Sequence, residues 1–198
     1  MKTIIVLKDV DFKYQPSDYL VGIEQGALKI LEKKLPLELA IGDFDSVSET
    51  EKKYIKSSAK NFILLNPIKD ESDSEAALKY LVAHNYPNLT FYGALGKRFD
   101  HSFVNFQLVE KYSVTLIDDY NKVFALKEGS HHIKPADFKY LSIFTLRQAT
   151  ITLQGVKYPL TKTEINPLTS YTLSNEIIEE LALIEVEAGS IIVVLSRD

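Results

Sequence analysis

The chain of 198 residues is 45% hydrophobic and 25% charged, enough to bury one large core or two small ones and too ordinary in composition for a disordered polymer. Its 27 acidic and 23 basic residues give a formal charge of −4 with no basic run, so a nucleic-acid partner is not expected, and the absence of cysteine excludes disulfides, thiolate metal sites and a cysteine nucleophile. The opening Met1 to Lys8 holds only a short apolar run, Ile4 to Leu7, too short for a signal-peptide core or a membrane span, and a cytoplasmic protein with no membrane partner is expected.

In chain order, Ile4 to Leu7 reads as a buried strand and Lys8 to Asp18 as a loop. A second strand end at Val21 to Gly26 leads into a helix from about Ala27 to Lys34 that Pro36 stops. Leu37, Leu39 and Ile41 alternate as a third strand, and Gly42 then lets the backbone turn into Asp43-Phe44-Asp45-Ser46. Ser48 to Lys56 reads as a helix with acid at its start and Lys at its end, as the helix dipole favours. Phe62 to Leu65 is a fourth strand feeding Asn66 to Glu75, where Ser72 and Glu75 fit a capping box for a helix that continues to His84. Leu89 to Tyr92 exits through Gly93 to His101 into a helix from about Ser102 to Tyr112, with Phe103, Phe106 and Leu108 or Val109 as its buried stripe, and Val114 to Ile117 closes this half.

From Lys122 the period changes to short strands: Val123 to Leu126, Lys139 to Leu146, Ala149 to Leu153, Val156 to Leu160, Ala182 to Val186 and Ile191 to Leu195. The fold class is therefore α/β, a mostly parallel α/β sandwich domain at residues 1–127 followed by an all-β sandwich at 128–198, with Gly129 to Pro135 as the linker.

Three strand-exit loops carry the chemistry: Asp43 and Asp45; Lys69, Asp70 and Asp73; Arg98 and Asp100. Each has an ordinary reading by itself, a turn followed by a helix cap for the first and dipole-favoured acids at a helix start for the second. In open α/β sheets, however, ligands bind outside the carboxyl ends of the strands, where all three loops fall. Two carboxylates about 4 Å apart repel by roughly 4 kcal/mol at an effective dielectric near 20, which a hard cation such as Mg2+ relieves. Carboxylates, a divalent cation, Lys69 and Arg98 are the ingredients of phosphoryl transfer. Neither a P-loop nor a Gly-x-Gly-x-x-Gly dinucleotide motif occurs.

Four stretches in order, Gly42-Asp43-Phe44-Asp45-Ser46, Lys69 to Leu78, Gly93 to His101 and Ser174-Asn175-Glu176, resemble thiamine pyrophosphokinase. The resemblance implies an enzyme that moves the β,γ-diphosphate of ATP onto the hydroxyl of thiamine and releases AMP, working as a homodimer with shared active sites. It places Mg2+ on Asp43, Asp45 and Asp73, and puts Asp70 and Asp100 at the reaction centre, either of them accepting the hydroxyl proton. Ser46, Lys69, Arg98 and His101 face the nucleotide, and Ser174 and Asn175 bind thiamine. The sequence departs from the family pattern at Glu24, where the family has Asp, which leaves its role between thiamine and metal open. It also lacks a Gly-Gly turn after the first strand, at Leu7 to Val10, and has Lys97 inside the third motif.

Overall fold

The computed structural model describes residues 1–8 and 10–198; Asp9, in the expected loop after the first strand, lies outside the described residues. The chain forms two compact units, Met1–Leu108 and Val109–Asp198.

In the first unit β1 (Thr3–Val6), β2 (Tyr19–Ile23), β3 (Leu39–Gly42), β4 (Asn61–Leu64) and β5 (Leu89–Tyr92) form a parallel sheet in the order β5-β1-β2-β3-β4. β1 and β3 are buried at every position and β2 at all but its first, so both faces are covered and the strands run apolar instead of alternating. The helices are α1 (Gln25–Glu32), α2 (Glu49–Ser58), α3 (Asp73–Ala83) and α4 (Phe99–Tyr112). Because every strand points the same way, the loops that leave Val6, Ile23, Gly42, Leu64 and Tyr92 share one edge of the sheet.

Helix ends follow local chemistry. Ser48 and Glu51 form the full reciprocal capping box of α2, and the Ser72 hydroxyl accepts the Glu75 N–H at 3.2 Å at the start of α3. Helix α1 ends two residues before the expected Lys34, and Pro36 is not what stops it. Lys34 takes φ 56°, its N–H bonds Leu31 O, and the Leu35 N–H bonds Ile30 O, a left-handed closure that satisfies the last carbonyls. Asn85, at φ 57°, closes α3 in the same way.

The expected stripe of α4 is corrected at Phe103, which is exposed. Asn105 turns inward with Leu108 and Val109, because its amide donates to Ala94 O at 2.7 Å, a carbonyl that the strand-exit loop would otherwise bury unpaired.

The second unit is built on two long antiparallel strands, β7 (Asn121–Ile133) and β11 (Ala182–Ser196), with β6 (Thr115–Ile117) on β7. β8 (Tyr140–Phe144) pairs the later half of β11, β9 (Ala149–Gln154) pairs its earlier half, and β10 (Leu160–Ile165) pairs β9. Gly129 to Ile133 thus belongs to a strand and is not a linker, and the strand expected at Val156 to Leu160 begins only at Leu160. Ala182, Ile184 and Val186 enter the core from one half of β11, and Ile191, Val193 and Leu195 from the other. The register shift between Val186 and Ser190 lies between them, and the inward parity changes across it. A bulge thereby turns one strand through the corner of a β sandwich, where two separate strands were expected. The expected fold class, a parallel α/β unit followed by a β sandwich, is borne out.

Candidate active site

The loop after β3 is built around Phe44. Its ring is 2% exposed and stacks on Phe62 at 4.8 Å, and its backbone takes φ 58°. Driving this aromatic inward leaves Asp43 and Asp45 on either side, with the Asp45 N–H on Asp43 Oδ1 at 3.1 Å. Glu24, the residue after β2, is buried and also left-handed at φ 53°. Although it occupies the N-cap of α1, its side chain makes no cap bond there. Its two carboxylate oxygens cross to the neighbouring loop instead: Oε1 accepts the Phe44 N–H at 2.7 Å and Oε2 the Ser46 hydroxyl at 2.9 Å. The amide of Gln25 adds a bond to Ser46 O at 3.0 Å.

This reach is possible because residue 42 is glycine, since a Cβ there would stand 2.0 Å from Glu24 Oε1. Burial pushes the Glu24 carboxyl above the ordinary carboxylate range against the two hydrogen bonds that lower it, and the charges of Asp43 and Asp73 push the same way as burial. Glu24, Asp43 and Asp45 each offer an oxygen within 4.8 Å of the others.

Asp73 opens α3, and four residues before it in the preceding loop is Lys69, whose ammonium is 2.8 Å from Asp73 Oδ1 and 3.8 Å from Asp43 Oδ2. The Lys69 ammonium is the cation facing the buried Asp73 Oδ1. Desolvation lowers the Lys69 pKa, but Asp73, Asp43 and Glu24 outweigh it and raise the balance, so this amine stays charged.

One cleft of about 550 Å³ is lined by Glu24, Asp43, Asp45, Ser46, Lys69, Asp73, Arg98 and His101 of the expected residues. Lys8, Gln25, Glu71, Ser72 and Ser74 also line it, and sequence reading did not assign them. Lys8 was legible only as the polar residue ending the first strand; its ammonium comes to lie over Gly96, whose added Cβ would stand 3.5 Å from it.

Two expected residues stand apart from the cleft wall. Asp70 is exposed and does not line it. Asp100 faces an adjoining depression of about 200 Å³ that shares Ser72, Ser74 and His101 with the cleft. Arg98 grips it through Nε at 3.3 Å and Nη2 at 2.5 Å, and this hydrogen-bonded guanidinium holds the Asp100 carboxyl below its ordinary range.

Ser174 and Asn175 lie in the second unit. The Asn175 side chain is buried and committed internally, accepting from the Tyr158 and Glu176 N–H groups and donating to Tyr158 O at 2.8 Å. Ser174, at φ 55°, is exposed beside it, its N–H on the Ser142 hydroxyl.

Residues 13–118 match the family model described as "Thiamin pyrophosphokinase, catalytic domain", and residues 130–191 match "Thiamin pyrophosphokinase, vitamin B1 binding domain". The chain belongs to the thiamine pyrophosphokinase family. It is 32% identical to a thiamin pyrophosphokinase family protein from Enterococcus faecalis, whose crystal structure superposes with a TM-score of 0.86 over 100% of both chains. The crystal structure of thiamine pyrophosphokinase from Bacillus subtilis gives 0.87 at 26% identity, again over 100% of both chains. A curated thiamine pyrophosphokinase of Bacillus subtilis strain 168 is 29% identical over 187 residues, 90% of this chain and 87% of the relative. The family expected from the four motifs is thereby borne out.

The residues present fit a hard divalent cation. Glu24, Asp43 and Asp45 are all carboxylates and converge within 4.8 Å, and Asp73 stands next to them across the Lys69 ammonium.

Proposed function

We propose that this chain transfers the β,γ-diphosphate of ATP to the hydroxyl of thiamine, giving thiamine diphosphate and AMP in the cytoplasm. The observation that carries the reading is the single cleft in which the acids Glu24, Asp43, Asp45 and Asp73 face Lys69 and Arg98, at the carboxyl edge of a parallel sheet in a chain of this family.

Asp43, Asp45 and Asp73, with Glu24 behind them, would hold Mg2+. When bound, the cation offsets phosphate charge and polarises the phosphoryl group under attack. Lys8, Lys69 and Arg98 supply the remaining positive charge for the phosphates, and Ser46 and His101 add polar contacts. In the reaction the thiamine oxygen bonds the β-phosphorus, the bond from that phosphorus to the bridging oxygen breaks, and AMP leaves with the electron pair.

The hydroxyl proton goes to a carboxylate, and Asp100 suits this better than Asp70. Its depression shares walls with the cleft, and Arg98 fixes the direction in which its carboxylate points. We assign catalysis to residues 1–127 and thiamine binding to 128–198, with homodimers sharing each active site. Asn175 then acts by holding the turn that presents Ser174.

Incubation with ATP, thiamine and Mg2+, with the products separated chromatographically, tests the reading. Equimolar AMP and thiamine diphosphate, abolished by EDTA, is the expected result. ADP with thiamine monophosphate refutes diphosphoryl transfer, and an AMP yield independent of thiamine refutes the acceptor.

A further inference from the structure

The Lys69 ammonium stands against two of the carboxylates, Asp43 and Asp73, that the proposed reading gives to a divalent cation. It lies between Asp43 and Asp73, the side chain is 15% exposed, and it also donates to Asn66 O at 3.3 Å. Asp43 is shared, since it faces Lys69 on one side and belongs to the Glu24–Asp43–Asp45 cluster on the other. Lys69 holds Asp73 through a 2.8 Å ion pair on a flexible side chain, a contact that another anion can replace without rearranging the backbone.

A monovalent cation on a flexible four-carbon tether and a divalent ion cannot both settle among these carboxylates without strong mutual repulsion. Once phosphate is present, the same tether has a better partner beside it.

We propose that Lys69 is the built-in counter-ion of the carboxylate cluster in the free protein, and that it leaves Asp73 and Asp43 for phosphate when metal and nucleotide enter together. Lys69 therefore weakens binding of a bare divalent ion and strengthens binding of the metal–nucleotide pair, coupling the two by linkage. The assignment rests on the proposed nucleotide chemistry of this cleft, but its first consequence needs no nucleotide.

The test is titration of the whole protein with Mn2+ alone, followed by electron paramagnetic resonance and calorimetry, for the native chain, Lys69→Gln and Lys69→Arg. The titrations are then repeated with an ATP analogue carrying a methylene bridge between the α- and β-phosphorus. Lys69→Gln is expected to bind bare Mn2+ about tenfold more tightly, the scale of one interaction of this kind. It is also expected to lose most of the gain in Mn2+ affinity that the analogue confers on the native chain.

Lys69→Arg keeps the charge and is expected to bind bare Mn2+ as the native chain does. Unchanged or weaker Mn2+ binding in a folded Lys69→Gln overturns the proposal, as does an absence of Mn2+ binding in all three proteins. A tenfold gain in a chain that forms no thiamine diphosphate would leave the counter-ion role standing and sink the proposed reaction instead.

Discussion

Gly42→Ala tests the link between Glu24 and the Asp43–Asp45 loop. The added methyl would stand 2.0 Å from Glu24 Oε1 and 2.8 Å from its Cδ, while residue 42 is held at φ 156°. The carboxylate has to retreat by roughly 1.5–2 Å to reach ordinary contact distance. That movement breaks the bonds to the Phe44 N–H and the Ser46 hydroxyl, now 2.7 and 2.9 Å long. Hydrogen bonds to a charged group contribute about 1.5–3 kcal/mol each, and part of the loss returns as the displaced carboxylate regains water, so a net destabilisation of about 2–4 kcal/mol is expected.

The assay is urea unfolding of the native chain, Gly42→Ala, Glu24→Ala and the double variant. Glu24→Ala alone leaves the Phe44 N–H without its acceptor and is expected to cost about 1–3 kcal/mol. In the double variant the clash has no target, and the alanine methyl at 42 occupies space the carboxylate has left. What remains in the double variant is the strain of an alanine at φ 156°, so Gly42→Ala should cost less there than in the native background, a coupling of about 2 kcal/mol in the cycle. Strict additivity would refute the reasoning, because Gly42 would then be needed for its backbone alone.

Three further outcomes are expected. Asp43→Asn removes the carboxylate shared by the cluster and by Lys69, so steady-state formation of thiamine diphosphate should fall by about 10³-fold or more while the Tm holds or rises, as like charges are relieved. Asn175→Ala strips the Tyr158 N–H and C=O and the Glu176 N–H of their partner and is expected to lose about 2–4 kcal/mol in chemical unfolding. Asp18 accepts the Lys2 N–H at 2.8 Å and the Gln15 N–H at 2.9 Å; burial raises its carboxyl, but these bonds and the positive charge of the amino terminus and Lys2 outweigh it, so the net shift is downward. A depressed folded value gives stability that is present above the unfolded carboxylate range and lost as pH falls through the folded one. Asp18→Asn should therefore be less stable than the native chain at pH 7, and the gap should close on acidification in pH-dependent unfolding curves.

The strand-exit loops were legible because a parallel sheet forces its apolar strands to be continuous and its polar turns to fall at fixed ends, so Gly42, Lys69 and Arg98 could be placed on one edge from spacing alone. What sequence could not supply were the partners across the fold. Phe103 has the right spacing for a buried stripe, but the unpaired Ala94 carbonyl draws Asn105 inward instead. Gly129 looked like punctuation because a glycine in a polar run usually is, yet β7 continues through it opposite Val186, where β11 turns its corner. Helix α1 ended at Glu32 because Lys34 could take a positive φ and close it, which no propensity at that residue announces. Glu24 carried the largest gap: the resemblance set its side chain toward thiamine or metal, and nothing in its spacing showed that it also grips a loop beginning twenty residues later in the chain.

That grip separates a functional loop from an ordinary turn and cap. Capping α2 needs only Ser48 and Glu51, which already close the box between themselves. Nothing in that task requires Glu24 and Phe44 to be left-handed, a conformation that costs about 1–2 kcal/mol for each non-glycine residue. Nor does it require a carboxylate to be buried against its own preference beside Asp43 and Asp73. The stacking of Phe44 on Phe62 and the two bonds from Glu24 offset those costs, and their combined effect is to hold Asp43 and Asp45 in place before any ligand arrives. A cluster of acids that existed only to cap helices would relax to separate its charges. This one is braced from behind so that it cannot, which is the arrangement a cation site needs.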